Sequence, residues 1–200
     1  MPQPFQIARA LAALAAAMFS AAPGLVPVRA QTLDGIAGSF VTPFPDKDTY
    51  RVQTYGDGVA EGLAAGLAEA LADEQRIQLQ RRHRAIGSLW RADFEEEAKA
   101  LETELGRDAP HIAVIGMGLG DRQPWRQPNG RRIAVGAPEW RTEYARRVDR
   151  VVRAFRTKSV AVYWVGHPIQ RRSDVSDEAQ MMNDILRDRS SASGARFIDV

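Results

Sequence analysis

Past residue 48 the chain alternates between short apolar runs and longer amphipathic stretches. Residues 49–55 are rich in β-branched and aromatic side chains and end in Gly56-Asp57-Gly58, which predicts a first strand and a turn. Leu63, Leu67 and Leu71 recur at helical spacing and predict a helix over 59–72. Gly62 and Gly66 lie inside it, each costing about 1 kcal/mol against alanine, so close packing against a neighbour is expected there. Weak alternation at 76–80 predicts a second strand. A loop with Gly87 follows, then an acidic helix over 92–105 with Gly106 as its stop. The clear run His111-Ile112-Ala113-Val114-Ile115-Gly116 predicts a third strand, leading into Gly118-Leu119-Gly120-Asp121. Residues 122–137 contain Asn129-Gly130, a hairpin-turn pair. A helix is expected over 138–156. Pro138 suits its first turn, and Trp140, Tyr144, Val148, Val151 and Phe155 form its apolar stripe. A fourth strand at 159–165, a helix at 176–188 and a fifth strand at 196–200 complete the pattern.

Strands alternating with helices predict a three-layer α/β/α domain over residues 49–200. Its sheet is parallel, doubly wound and five-stranded, flavodoxin-like in arrangement. Sites in such sheets lie outside the carboxyl ends of the strands, so the loops after the first four strands are the ones to watch. No helix follows the fifth strand, so the domain is expected to be C-terminally incomplete, with a closing helix missing and one sheet face partly uncovered. A truncated, non-functional gene product is one reading of that ending.

The first thirty residues stand apart. Arg9 precedes an apolar run from Ala10 to Met18, and small residues lead to Val28-Arg29-Ala30. That is the pattern of a signal peptide cleaved after Ala30. The run is short for a bilayer span, which needs about 20 residues, and Pro23 and Pro27 interrupt it. A periplasmic or secreted protein with no membrane span after cleavage is expected. Residues 31–48 lack periodicity and read as a flexible linker.

Charge then changes the picture. The chain carries 27 Lys plus Arg against 25 Asp plus Glu. Arg9 and Arg29 sit in the acid-free leader, so the remainder is balanced and has no whole-domain footprint for nucleic acid. There is no cysteine among the 200 residues, which excludes thiol catalysis and Cys-based zinc sites. No pair of ligands shows metal spacing, and no cofactor is expected.

Three loops at successive strand ends carry a resemblance. Tyr55-Gly56-Asp57-Gly58-Val59-Ala60 resembles the G-D-S-L block of SGNH/GDSL hydrolases. Gly87 stands where that family has its second-block glycine, with Arg91-Ala92-Asp93-Phe94 continuing the loop. Gly118-Leu119-Gly120-Asp121 resembles its G-x-N-D block. Trp140, Tyr144, Arg147-Val148 and Trp164-Val165-Gly166-His167-Pro168 resemble a bacterial periplasmic branch of that superfamily. The resemblance implies a serine nucleophile facing an oxyanion hole built from two backbone N–H groups and an asparagine side chain, completed by a late Asp-x-x-His block. This chain departs from it three times. Gly58 occupies the serine position, Gly120 occupies the asparagine position, and the chain ends at Asp199-Val200 without the Asp-x-x-His block. Backbone donors at Gly58 and Gly87 are what the resemblance leaves.

Several residues admit two roles. Asp57 fits water activation or an N-cap, for which Asp is a favoured residue. Asp121 fits substrate orientation or a loop carboxylate serving backbone donors. Trp125, in the polar stretch Arg122-Gln123-Pro124-Trp125-Arg126, fits a stacking platform for a sugar or a loop anchor. Arg122, Arg126, Arg131 and Arg132, with Arg171 and Arg172, fit an anion site or a solvated face. Of the three histidines, His83 lies in a basic run and His111 opens a strand. His167 alone falls at the active edge as a candidate base.

Losing a triad serine or histidine costs on the order of 10⁶ in kcat, and losing one oxyanion donor about 10²–10³. The expectation is a non-catalytic binder of a cell-envelope carbohydrate, an acylated glycan or a protein partner. The rival expectation is an active esterase or carbohydrate O-deacetylase.

Overall fold

The structure, a computed structural model, describes residues 49–80 and 84–200. The expected leader and linker, and His83, lie outside the described residues. Along the chain come β1 (Tyr50–Gly56), α1 (Gly58–Ala70), β2 (Ile77–Leu79), β3 (Arg84–Ala85), α2 (Phe94–Arg107) and β4 (Ile112–Gly116). A 3₁₀ turn (Leu119–Asp121) precedes β5 (Trp125–Arg126) and β6 (Arg132–Ile133). Then follow α3 (Pro138–Arg156), β7 (Ala161–Val165), α4 (Ser173–Ser193) and β8 (Arg196–Ile198).

The main sheet runs β2-β1-β4-β7-β8 with every pair parallel. Counted as five strands, the order is 2-1-3-4-5, the doubly wound arrangement the sequence pattern predicts. Strand two arrives in two pieces. β2 pairs with Tyr50–Val52 of β1, and β3 pairs with its end, Tyr55 opposite Arg84. The second piece was illegible because two residues carry no alternation. The Asn129-Gly130 hairpin forms as expected, with β5 antiparallel to β6 and Gly130 at φ +84°.

The two sheet faces are unequal. α2, α3 and α4 pack around one large core that includes Tyr55, Ile115, Trp140, Tyr144, Val148, Phe155, Trp164 and Leu186. Each of these side chains contributes roughly 1.5–3 kcal/mol on burial. The whole predicted α3 stripe is in this core. The opposite face carries a small cluster of Val52, Val114 and Val165, against which Leu63 and Leu67 of α1 pack. Here one expectation fails. Gly62 and Gly66 are exposed, and no atom lies within 4 Å of where their Cβ would be. The close approach comes from the sheet instead. A Cβ on Gly116 would overlap Leu63 and lie 3.3 Å from Val59 Cγ1.

α4 outruns its predicted end at 188. Residues beyond that point lack an apolar stripe, but tertiary bonds hold them. Arg189 pairs with Asp149 at 2.8 Å, and Ser193 Oγ donates to the same carboxylate at 2.8 Å. The helix ends at Gly194, whose φ of +80° suits a left-handed cap.

Candidate functional site

The carboxyl ends of β1, β4 and β7 meet at one corner. Gly56 leaves β1 at φ +138°, where a Cβ would overlap the Gly116 carbonyl. Glycine is required there by both backbone and space. Asp57 then caps α1. Its Oδ1 accepts from Val59 N at 3.0 Å and its Oδ2 from Gly118 N at 3.2 Å. One carboxylate thus joins the loops after β1 and β4, and both its oxygens are engaged by backbone. Gly58 is exposed, with nothing within 4 Å of its Cβ position, and the same holds for Gly120. Packing imposes glycine at neither.

The loop after strand two closes on itself. Gly87 N donates to Glu97 Oε2 at 3.2 Å, and Glu97 Oε1 is bridged to Arg91 Nε at 3.1 Å. The backbone donor that the family resemblance assigns to Gly87 is therefore occupied by a carboxylate from α2. Ser88 Oγ donates to Asp121 Oδ1, and Leu89 N donates to Asp121 Oδ2 at 3.3 Å. Asp121 is fully buried. Burial pushes its carboxyl up to about 6, against the pull of Ser88 and the Leu89 amide.

Gly118, at φ +108°, is the hub of the corner. Its Cβ position lies 2.8 Å from Tyr144 Oη and 3.3 Å from both Asp121 Oδ2 and His167 Cε1. The Tyr144 hydroxyl and His167 Nε2 are buried without a hydrogen-bond partner among the described residues. Burial, with nearby Asp121 and Asp57, raises Tyr144 well above its ordinary value. Burial brings His167 down to about 4, with Asp57 opposing and Arg122 assisting the shift. The His167 backbone is clamped by Asn183, which accepts from its N at 2.7 Å and donates to its carbonyl at 2.9 Å. The sequence-derived candidates Asp57, Asp121 and His167 are thus brought together, with a neutral imidazole among them at pH 7.

Arg122 stays near this corner, donating to the Leu119 carbonyl at 3.1 Å and lying 3.6 Å from Glu178. Trp125 and Arg126 belong elsewhere. Trp125 is half-buried and stacks on Trp90, ring centroids 5.7 Å apart at 21°. It is a loop anchor, yet it also lines a cavity of about 730 Å³ shared with Trp90, Arg126, Arg132 and Arg147. Trp90 went unremarked in the sequence because nothing in its neighbours signals a cavity wall. Glu97 and Ser88 went unremarked too, since their partners are 10 and 33 residues away. Arg147 is buried, with its guanidinium 4.9 Å from the ring centroids of both Trp90 and Phe94. It donates to the Leu89 carbonyl and, at 2.6 Å, to Glu143. A smaller cavity of about 270 Å³ lies beside His167, Asn183 and Arg187.

His111 lies at the sheet end and accepts from Arg51 N at 2.9 Å, a structural role. Arg131 pairs with Glu139 and Arg172 with Asp174. Among the described residues no group of three or more His, Asp or Glu is placed to hold a metal, and no helix is long and apolar enough to cross a membrane.

No curated protein matches the chain significantly. Solved structures do. TesA aligns with a TM-score of 0.50 at 14% identity, over 74% of this chain and 76% of its own. LAE5, an alpha/beta hydrolase enzyme from the metagenome of Lake Arreo, Spain, aligns at 0.52 and 14%, over 76% and 77%. A catalytic mutant of Axe2, an acetylxylan esterase from Geobacillus stearothermophilus, aligns at 0.49 and 13%, over 76% of each chain. At such identities the likeness to TesA and LAE5 concerns the fold alone, which is that of SGNH/GDSL-type hydrolases, as the three sequence blocks imply. The model of the family described as "Protein of unknown function (DUF459)" matches residues 51–200, and the chain belongs to that family.

Proposed function

We propose that this chain is a non-hydrolytic binding protein on the SGNH fold, exported to the cell envelope, where it holds a glycan beside the strand ends. The observation that carries this reading is the pair Gly58 and Gly120. Both stand in open space, so the fold tolerates serine and asparagine there, and yet the side chains ester chemistry needs are missing. An acyl-enzyme cannot form without a nucleophile, a loss on the order of 10⁶ in kcat in a triad enzyme. The Gly87 N–H is engaged by Glu97, which adds a negative charge where an oxyanion would develop. Water activation finds little support either, since both Asp57 oxygens accept backbone N–H bonds and His167 Nε2 is buried.

The test has three readings. Purified protein is expected to hydrolyse an aryl acetate no faster than buffer. Titration calorimetry with envelope oligosaccharides is expected to give saturable binding. The N terminus of protein recovered from the envelope is expected to be Gln31. Ester hydrolysis that vanishes on altering Asp57 or His167 overturns the reading, as does an N terminus retaining the first residues.

A further inference from the structure

The cavity beside the β5–β6 hairpin is lined by four arginines and no acid, although the chain beyond its first thirty residues is charge-balanced. Two of the four are fixed by the fold. Arg147 is held by Glu143 and the Leu89 carbonyl, and Arg91 by Asp93 and Glu97. The other two, Arg126 and Arg132, are exposed and have no carboxylate partner among the described residues. They are also register partners, directly opposite each other on a two-stranded ribbon. Like charges in that position destabilise the pair, and a hairpin this short has little else to offset it. The repulsion disappears when an anion sits between them.

The remaining wall has a matching chemistry. Trp125 presents a half-buried indole, backed by Trp90, of the kind on which the C–H face of a pyranose ring packs. Gln127 lines the same space and carries an amide suited to hydroxyl groups. The volume of about 730 Å³ falls in the ordinary range for small-ligand sites, about 300–1,000 Å³. We infer that this cavity binds a sugar carrying a fixed oxyanion, the ring against Trp125 and the carboxylate or phosphate held between Arg126 and Arg132. Planar guanidinium groups bind either oxyanion through paired N–H bonds.

This inference rests on the binding reading above and narrows it to an anionic glycan at a named place. Three probes test it by calorimetry on the full-length protein: trigalacturonate, its fully methyl-esterified counterpart, and a phosphorylated maltotriose. One or both anionic probes are expected to bind, and whichever binds more tightly identifies the oxyanion. The methyl ester is expected to bind at least tenfold more weakly than trigalacturonate if the carboxylate is preferred. Arg126→Gln and Arg132→Gln are each expected to weaken the anionic probe roughly tenfold, as loss of one charge-assisted bond pair does, with a thermal midpoint that is unchanged or slightly raised as the repulsion is relieved. Equal affinity for the ester and the acids overturns the anion assignment while leaving glycan binding intact. So does anion binding that neither arginine variant reduces. Absence of saturable binding by all three probes up to about 10 mM, near the limit of a useful Kd, overturns both readings.

Discussion

The corner at the ends of β1, β4 and β7 and the cavity beside the hairpin lie on the same loops yet treat their polar groups in opposite ways. At the corner the carboxylates are engaged by the fold, although the Tyr144 hydroxyl and His167 Nε2 are buried without a hydrogen-bond partner among the described residues. Asp57 and Asp121 accept backbone donors, Glu97 covers the Gly87 N–H, and His167 is neutral. At the cavity, Arg126 and Arg132 face each other unpaired. At the corner the carboxylates already serve backbone donors, whereas the guanidinium groups of Arg126 and Arg132 at the cavity have no carboxylate partner among the described residues. An interaction left unmade by the fold is the one available to a ligand.

Substitutions can break that contrast, beginning with the glycines. Gly56→Ala is expected to cost at least 3 kcal/mol or to abolish folding, because it sets a Cβ into a backbone carbonyl at a positive φ, a penalty on the order of several kcal/mol. Urea denaturation measures it, and a wild-type midpoint would show that the corner is not built around this approach.

A second test uses pH. In the native state Asp121 titrates at about 6 against a reference of 3.8. Its contribution to stability is complete below pH 3.8 and is lost as pH rises to about 6. His167 titrates at about 4 against 6.5, so its contribution is complete above pH 6.5 and is lost as pH falls to about 4. Each window spans about two units, worth roughly 3 kcal/mol, and the two oppose each other. As pH rises from 4 to 6, His167→Gln is expected to lose stability relative to wild type, because only wild type regains the contribution of the neutral imidazole. Asp121→Asn is expected to gain stability over the same range. Urea midpoints at pH 4.5 and 6.5 decide it, and parallel profiles for all three proteins would remove both groups from the account.

Arg147→Ala sharpens the comparison between the two kinds of arginine. It removes one of the two arginines that pair with Glu143, whose bonds to Arg146 remain, takes the donor from the Leu89 carbonyl and strips the cover from Trp90 and Phe94. A loss of about 3 kcal/mol is expected, against a change within about 0.5 kcal/mol for Arg126→Ala at the exposed position. Equal effects in chemical denaturation would erase the distinction between fixed and free guanidinium groups.

A small effect is also expected where the family resemblance is most visibly broken. Gly58→Ser and Gly120→Asn occupy open space and are expected to shift stability by less than about 1 kcal/mol. The double variant is expected to show no ester hydrolysis, because His167 Nε2 is buried and offers the serine no base and Glu97 still engages the Gly87 N–H. Adding Glu97→Ala tests that blockade directly, and activity appearing only in the triple variant would assign the block to Glu97.

Much of the domain was legible in its residues. The α3 stripe from Trp140 to Phe155, the strand 111–116 and the Asn129-Gly130 turn are local patterns with one physical solution each. The Asp57 cap was legible because capping needs only the next two residues. Gly87 shows the limit. The sequence marks it as a family glycine, but its N–H meets a carboxylate ten residues on. The same residue type also had opposite uses. Gly62 and Gly66 read as packing sites and are open, while Gly116 makes the close contact with α1.

By itself, then, the sequence determined the order of strands and helices, the doubly wound sheet and the absence of a nucleophile at Gly58. These follow from periodicity, turn chemistry and residue identity, which are local properties. Only the tertiary structure decided that the Gly87 donor is covered, that Asp121 and His167 are buried with opposite pKa shifts, and that Arg126 and Arg132 confront each other beside Trp125. Burial and pairing depend on groups far apart in the chain. The free energy of a charged or hydrogen-bonding group is set by what the fold places around it.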